Sequence, residues 1–456
     1  MSSSTLSTAA ASKESITETG STAKKEEEDI GSVDEGATTL DAGAVEGGMR
    51  AWLTVIGSSL VYFASFGIIN SFGFFQKYYQ TSYLPSVPAS TISFIGTIQI
   101  TLMNLLAAPA GSLFDCYGLK YLYIFSGIGC ASALVALSFT QPGILWQPFL
   151  IQGVLLGIAI AFGAQPSLVV VGQHFVRRRA LVMGIIAAAG SVGGVCFPVI
   201  FARLVPLVGF AWSLRVVAMV VACCYAAALG ISHTNYPATK LTSVGALLDF
   251  KGFLDRRYSV LAVGAFIAML GQFVPYYYIS TYCSVANPSS EAKDYLLPLM
   301  NAASFVGRIL GGHLADIRGP TNTVYPMTIL SGLLCLTTWL LTSSPPILII
   351  FVLLYGFCSG IFIAVLPAII AQPQLSPPGG LGGRIGAFYS VCAVAQLVGS
   401  PIGGALIRTP KEVGSAGGEA DGYEGLVVFA GATLVVGGCV IFGARVLHDR
   451  NLRARF

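Results

Sequence analysis

The chain has 456 residues, of which 54% are hydrophobic and only 10% charged, against about 25% charged in soluble domains. So few charges cannot cover a water-soluble protein of this size; lipid tails, which accept apolar faces, can. The net charge of +4 is small and gives no argument for nucleic acid as a partner.

In chain order, residues 1–48 read as a disordered cytosolic tail, rich in Ser, Thr and Ala and carrying "KKEEEDIGSVDEG". They contain no apolar stretch of the signal-peptide kind. A regulatory tail is the alternative. A helix needs about 20 apolar residues to cross the hydrocarbon. Twelve stretches meet that need: roughly 51–76, 89–114, 121–140, 144–171, 179–202, 209–231, 258–282, 294–315, 322–342, 345–370, 384–407 and 426–446. They are called spans 1 to 12 below. The longest polar interruption follows span 6. The expected architecture is an all-α polytopic membrane protein of twelve transmembrane helices in two pseudo-symmetric six-helix bundles. The bundles occupy 49–232 and 258–447, with a cytosolic linker at 233–257 and a cytosolic tail at 448–456. With both tails in the cytosol, most basic residues, including Arg177–Arg179, Arg256, Arg257, Arg318 and Arg384, fall on the inside, as the positive-inside rule requires.

Span 2 ends on "GSLFDCYG" and span 8 on "GHLADIRG". Gly111, Leu113, Asp115 and Gly118 recur as Gly312, Leu314, Asp316 and Gly319, each 201 positions later (312 less 111). A motif repeated at matching places marks an internal repeat. Gly190 with Gly194, and Gly307 with Gly311, have the four-residue spacing that lets helix backbones approach closely. The ten cysteines are scattered, most of them inside apolar runs, without metal spacing, so they read as packing residues. No nucleotide-binding loop, metal set or nucleophile–base constellation is visible. Neither a cofactor nor an enzyme activity is expected.

Two six-span halves with a repeated G-x-L-x-D-x-x-G resemble the major facilitator superfamily. "EGGMRAW" before span 1, "FVRRRALVMGIIAAAG" entering span 5 and "DFKGFLDRRY" before span 7 are similar to the fungal type of its monocarboxylate-porter branch. Animal lactate carriers of that branch have a lysine where this chain has Asn70, and an aspartate where it has Ser304; the arginine one turn later is kept as Arg308. Proton-coupled drug antiporters carry an arginine where this chain has Phe149. The resemblance therefore implies a transporter whose usual proton-coupling groups are incomplete.

An ionisable residue inside a span is costly and is a functional candidate. Arg308 is the one clearly embedded charge, and the branch uses this arginine for substrate. Its alternative role is to snorkel toward the headgroups. The spans expected to line a central cavity also carry Asn70, Gln76, Gln165, Gln272, Tyr276, Tyr277, Tyr278, Asn301, Tyr389 and Gln396. The tyrosines either stack on a ring and seal the outer mouth or form an interfacial belt. By the superfamily's arrangement span 2 meets span 11, and span 5 meets span 8. Asp115 is expected to face Gly383 and Arg384, and Asp316 to face Arg178 and Arg179, as latches at the cytosolic end.

These readings lead to a secondary active transporter working by alternating access. Its expected cargo is a small organic solute, foremost a monocarboxylate or other organic anion, with a proton as possible co-substrate. The alternative cargo is a neutral or heteroaromatic metabolite, such as a vitamin or fungal secondary product. A non-transporting receptor or scaffold is the other class. The expected setting is a lipid bilayer, foremost the plasma membrane with an internal membrane as alternative, and the expected unit is a monomer.

Overall fold

The computed structural model describes residues 47–234, 250–372, 374–376, 381–408 and 422–448. Most of both expected tails and of the linker lie outside the described residues. Within them all regular structure is helical. The spans appear in order as Met49–Tyr83, the pair Ala89–Leu105 and Ala107–Tyr117, Leu119–Leu137, Trp146–Gln173, and a 53-residue run Arg179–Ile231. The second half supplies Arg256–Ala286, Ala292–Arg318, Pro320–Leu334 extended by Cys335–Trp339, Pro345–Ile370, Leu381–Ala405 and Glu424–His448.

The 53-residue run breaks at Gly209, whose φ of 80° is not helical, so it supplies spans 5 and 6. With that break the described residues contain twelve helical passes. Length and composition alone identify eight of these helices as membrane-crossing, or nine if the pair in span 2, bent by 41°, is one span. Span 8 falls short because Arg308 and Asn301 lower its hydropathy. The features that place span 8 at the centre of the protein are the ones that hide it from a hydropathy count.

Packing inside each half relies on missing side chains. A Cβ at Gly67 of span 1 would lie 2.7 Å from Gly193 Cα of span 5, and one at Gly437 of span 12 would press on Ala268 of span 7. In water, apolar burial would drive such pairing. In lipid it rests on van der Waals contact, which small residues permit. The glycine pairs noted in the sequence do this: Gly190 packs on Phe66 of span 1, and Gly311 on Ile361 of span 10.

A polar tie closes one end of the first half. Thr54 Oγ1 accepts from His233 N at 2.9 Å, and the His174 ring nitrogen Nε2 lies 3.0 Å from the His233 carbonyl. A carbonyl only accepts, so Nε2 carries the proton. Burial holds the His174 pKa below its usual value, so the unfolded chain takes up a proton more readily than the folded one. The stability this group contributes is present above its ordinary pKa near 6.5 and is lost as pH falls below it. Thermal melts of the purified protein are therefore expected to drop between about pH 7 and pH 5. His174→Gln, which keeps a donor but does not titrate, should flatten that part of the profile; an unchanged profile would remove His174 from the account.

Candidate functional site

The repeated motif joins the two halves at one end of the molecule, and its residues divide the task. Gly111 and Gly312 let backbones meet: a Cβ at either would overlap a carbonyl, of Gly382 in span 11 or Ala180 in span 5. Gly118 and Gly319 have φ of 71° and 98°, a region that strains any residue with a Cβ. There the chain turns directly into spans 3 and 9.

Between these glycines the aspartates reach across the halves. Asp115 Oδ2 accepts from Gly383 N at 3.3 Å. Asp316 Oδ1 accepts from Ala180 N at 3.0 Å, and Oδ2 from Leu181 N at 2.9 Å. The donors sit on the first turns of the helices that start at Leu381 and Arg179. First-turn N–H groups have no partner within their own helix, and the helix dipole is positive there. A carboxylate from the opposite half satisfies both conditions.

The neighbouring arginines make further contacts. Arg179 donates to the carbonyls of Ala371 at 2.5 Å, Gly172 at 3.3 Å and Phe175 at 3.3 Å. It thereby ties the start of span 5 to the segment after span 10. The Arg384 guanidinium lies 5.7 Å from the ring centre of Tyr258, and Arg178 is exposed.

Deeper in the cleft, Arg308 is 1% exposed. Its Nη1 donates to Ala187 O of span 5 at 2.5 Å, its Nε to Ser304 Oγ at 3.2 Å, and its guanidinium lies 5.6 Å from the ring centre of Phe66. Among the described residues no carboxylate pairs with it. The guanidinium therefore does not snorkel; it bridges spans 8 and 5 within the protein. Ser304 adds a 3.5 Å contact to Ser191 of span 5.

A second bridge is built only of amides. Gln165 Nε2 of span 4 donates to Asn104 Oδ1 at 3.3 Å, and Asn104 Nδ2 of span 2 donates to Gln396 Oε1 of span 11 at 2.6 Å. Asn104 lies just before the break in span 2. There Ser390 of span 11 donates to Leu105 O at 2.8 Å and accepts from Ala108 N at 3.4 Å. A kinked helix leaves backbone groups to be satisfied, and here the opposite half supplies the hydroxyl. Tyr389, beside Ser390, is buried against Phe388 with ring centres 6.0 Å apart.

At the other end of the cleft the three tyrosines turn into the protein and not toward lipid. Tyr276 OH lies 3.0 Å from Ser359 Oγ, and Tyr278 OH donates to Ser400 O at 3.3 Å. Tyr277 meets Phe72 of span 1 edge-on at 5.9 Å. Gln272 Nε2 donates to Ser359 O at 3.4 Å, Asn301 Nδ2 to Leu297 O at 3.2 Å, and Asn70 Nδ2 to Gly190 O at 3.2 Å. A small cavity, with room for about one water, is lined by Ile69, Asn70, Gly73, Phe273, Tyr276 and Tyr277. Contacts between the halves at both ends and this small void describe a closed cleft.

The structure thus groups the sequence candidates into three clusters. Arg308 and Ser304 form one; Gln165 and Gln396 form the second; Asn70, Tyr276 and Tyr277 line the cavity, with Asn301 beside Asn70 and Gln272 sharing Ser359 with Tyr276. Sequence reading missed Asn104, Ser359 and Ser390, which carry no charge to stand out from an apolar run. It also missed a second buried arginine, Arg445, 0% exposed with Nε donating to Asn322 Oδ1 at 2.6 Å. Arg445 lies in the last turn of the helix that ends at His448.

Comparison with known proteins agrees with this architecture. The sequence model of the Major Facilitator Superfamily matches residues 54–342. The chain is 32% identical over 406 residues to the MFS transporter asaE of Aspergillus flavus, covering 88% of each chain. It is 32% identical over 404 residues to the aspyridones efflux protein apdF of Emericella nidulans, covering 88% of this chain and 79% of that one. It is also 32% identical over 417 residues to the fujikurins efflux protein of Gibberella fujikuroi, covering 91% and 86%. Among solved structures, the human organic anion transporter MFSD10 (TETRAN) superposes with a TM-score of 0.67 at 16% identity, over 86% of this chain and 98% of that one, a likeness of fold. With the joined halves, the repeated motif and these relatives together, the chain belongs to the major facilitator superfamily.

Proposed function

We propose that this transporter exports a small organic metabolite, of the neutral or heteroaromatic kind, in preference to importing a monocarboxylate. One observation carries the reading. Arg308, the buried cation of the closed cleft among the described residues, already donates to a main-chain carbonyl and a hydroxyl, and the small cavity is lined by Ile69, Asn70, Gly73, Phe273, Tyr276 and Tyr277, a set with no Lys, Arg, Asp or Glu. The names of two relatives, efflux proteins for aspyridones and fujikurins, support the direction and the type of cargo. Asp115 and Asp316 act as latches at the cytosolic end, and both tails lie in the cytosol. The entry strings "EGGMRAW" and "FVRRRALVMGIIAAAG" support a place in the monocarboxylate-porter branch. A carrier for organic anions is the second reading, favoured by the burial of Arg308 without a carboxylate partner.

Untargeted metabolite profiling of cells and medium, with and without the gene, tests the export reading. Deletion is expected to raise a ring-bearing metabolite inside cells and deplete it from the medium. Accumulation in the medium would reverse the direction. Unchanged profiles despite membrane-inserted protein would end the reading.

A further inference from the structure

We infer that the cleft selects solutes that donate hydrogen bonds: flat, uncharged rings carrying N–H or O–H groups. The inference rests on the export reading and adds the polarity of the cargo's hydrogen bonds. It follows from how the buried amides are held. Asn301 Nδ2 donates to Leu297 O and Gln272 Nε2 to Ser359 O. Main-chain carbonyls accept and cannot donate, so the nitrogen of each amide must face that partner. Gln165 is fixed one step removed: Asn104 Nδ2 donates to Ile100 O at 3.2 Å, which presents Asn104 Oδ1 to Gln165 Nε2.

In each case the nitrogen is used and the oxygen is left over. Asn301 Oδ1, Gln272 Oε1 and Gln165 Oε1 are all buried without a hydrogen-bond partner among the described residues. The Tyr277 hydroxyl, on the wall of the small cavity, is buried and unpartnered as well. Most buried polar groups in folded proteins are satisfied; three of these four gather near the small cavity, and the fourth, Gln165, sits on the amide bridge between the halves. Asn301 Oδ1 lies beside Gly194 and Asn70, and Asn70 lines the cavity. Gln272 shares Ser359 with Tyr276, which lines it too. Gln165 stands in the opposite half, so a solute that reached all of them would join the halves.

Three surplus carbonyl oxygens have lone pairs and no protons. A carboxylate would set its own lone pairs against them, whereas an N–H or O–H group fits. Phe72 and Phe273 stand beside Tyr277 with ring centres at 5.9 and 6.4 Å, so the walls suit a flat ring.

The test uses full-length protein in lipid nanodiscs and three probe sets, each a donor, its methylated partner and a carboxylate: 2-quinolone, N-methyl-2-quinolone and quinoline-2-carboxylate; indole, N-methylindole and indole-3-carboxylate; phenol, anisole and benzoate. Binding is read by calorimetry and by the shift in Tm. In at least one set the donor should bind, with affinity at least tenfold above that of both companions. Gln272→Met and Asn301→Leu remove an orphan oxygen at similar volume. Each is expected to raise the ligand-free Tm while weakening donor binding about tenfold, an opposition that a merely structural residue would not give. Equal binding of a methylated partner, preference for a carboxylate, or no binding in any set would overturn the inference. Metabolite profiling judges export independently: export of an organic acid would defeat this inference and leave export standing, and absence of export would do the reverse where donor selectivity is found.

Discussion

Asp115→Asn and Asp316→Asn are each expected to cut transport at least tenfold while leaving the amount of protein in the membrane near normal. Each aspartate holds first-turn N–H groups of a helix in the other half: Gly383 for Asp115, and Ala180 with Leu181 for Asp316. An asparagine keeps one oxygen but sets an NH2 group where the second oxygen stood, and it loses the charge that the helix dipole favours. Hydrogen bonds to a charged group contribute roughly 1.5–3 kcal/mol each. Losing that much from the closed form shifts the conformational balance by about 10- to 150-fold. The contacts lie between halves and not within one, so folding of each bundle should be spared. Distances between spin labels across the Asp115 end, measured by pulsed resonance, should lengthen in both variants. The double variant should exceed either single one, because each aspartate holds the start of a different helix. Wild-type distances in the presence of normal transport would refute the latch.

These aspartates also mark how far a sequence carries. The repeat at Asp115 and Asp316 was legible because it is written twice, at a constant displacement, beside glycines whose purpose is steric. Fold class was legible for a similar reason: bilayer thickness sets the length of an apolar run, and that length can be counted. The bonding partner of Asp316 was less legible. Charge counting points to Arg178 and Arg179 but not to the Ala180 and Leu181 amides that Asp316 accepts from, since every residue has such a group and no sequence displays it. The Asn104 bridge was hidden in the same way. Asparagine in an apolar run is a faint signal, and its partners Gln165 and Gln396 are 61 and 292 positions away. The kink in span 2 was half legible: Pro109 has no N–H to reach Leu105 O four residues back, but that the Ser390 hydroxyl of the other half satisfies this carbonyl was not.

Arg308→Leu is expected to abolish transport of the exported solute, and Arg308→Lys to retain a small part of it. Burying an arginine at mid-span costs about 2.5–3.5 kcal/mol or more. In the closed cleft that cost is offset by the Ala187 carbonyl, Ser304 Oγ and the face of Phe66. Two of these belong to the other half, so the guanidinium joins spans 8, 5 and 1 only while the halves are together. When the halves part, the arginine must find water or cargo instead. Leucine fills space but removes all of these bonds, so closure loses a tie and cargo loses a donor. Lysine keeps the charge but not the planar fork, and it can reach one acceptor where arginine reaches two. The two variants separate a tie from an anion partner. Where the arginine is chiefly a tie, both should lower transport of neutral and acidic solutes alike. Where it is chiefly a counter-charge, lysine should preserve acid transport and leucine should spare the neutral solute. Transport assays in vesicles with the metabolite identified by profiling, run beside a carboxylated analogue, give that comparison. Normal transport of both solutes by Arg308→Leu would show that the residue is neither.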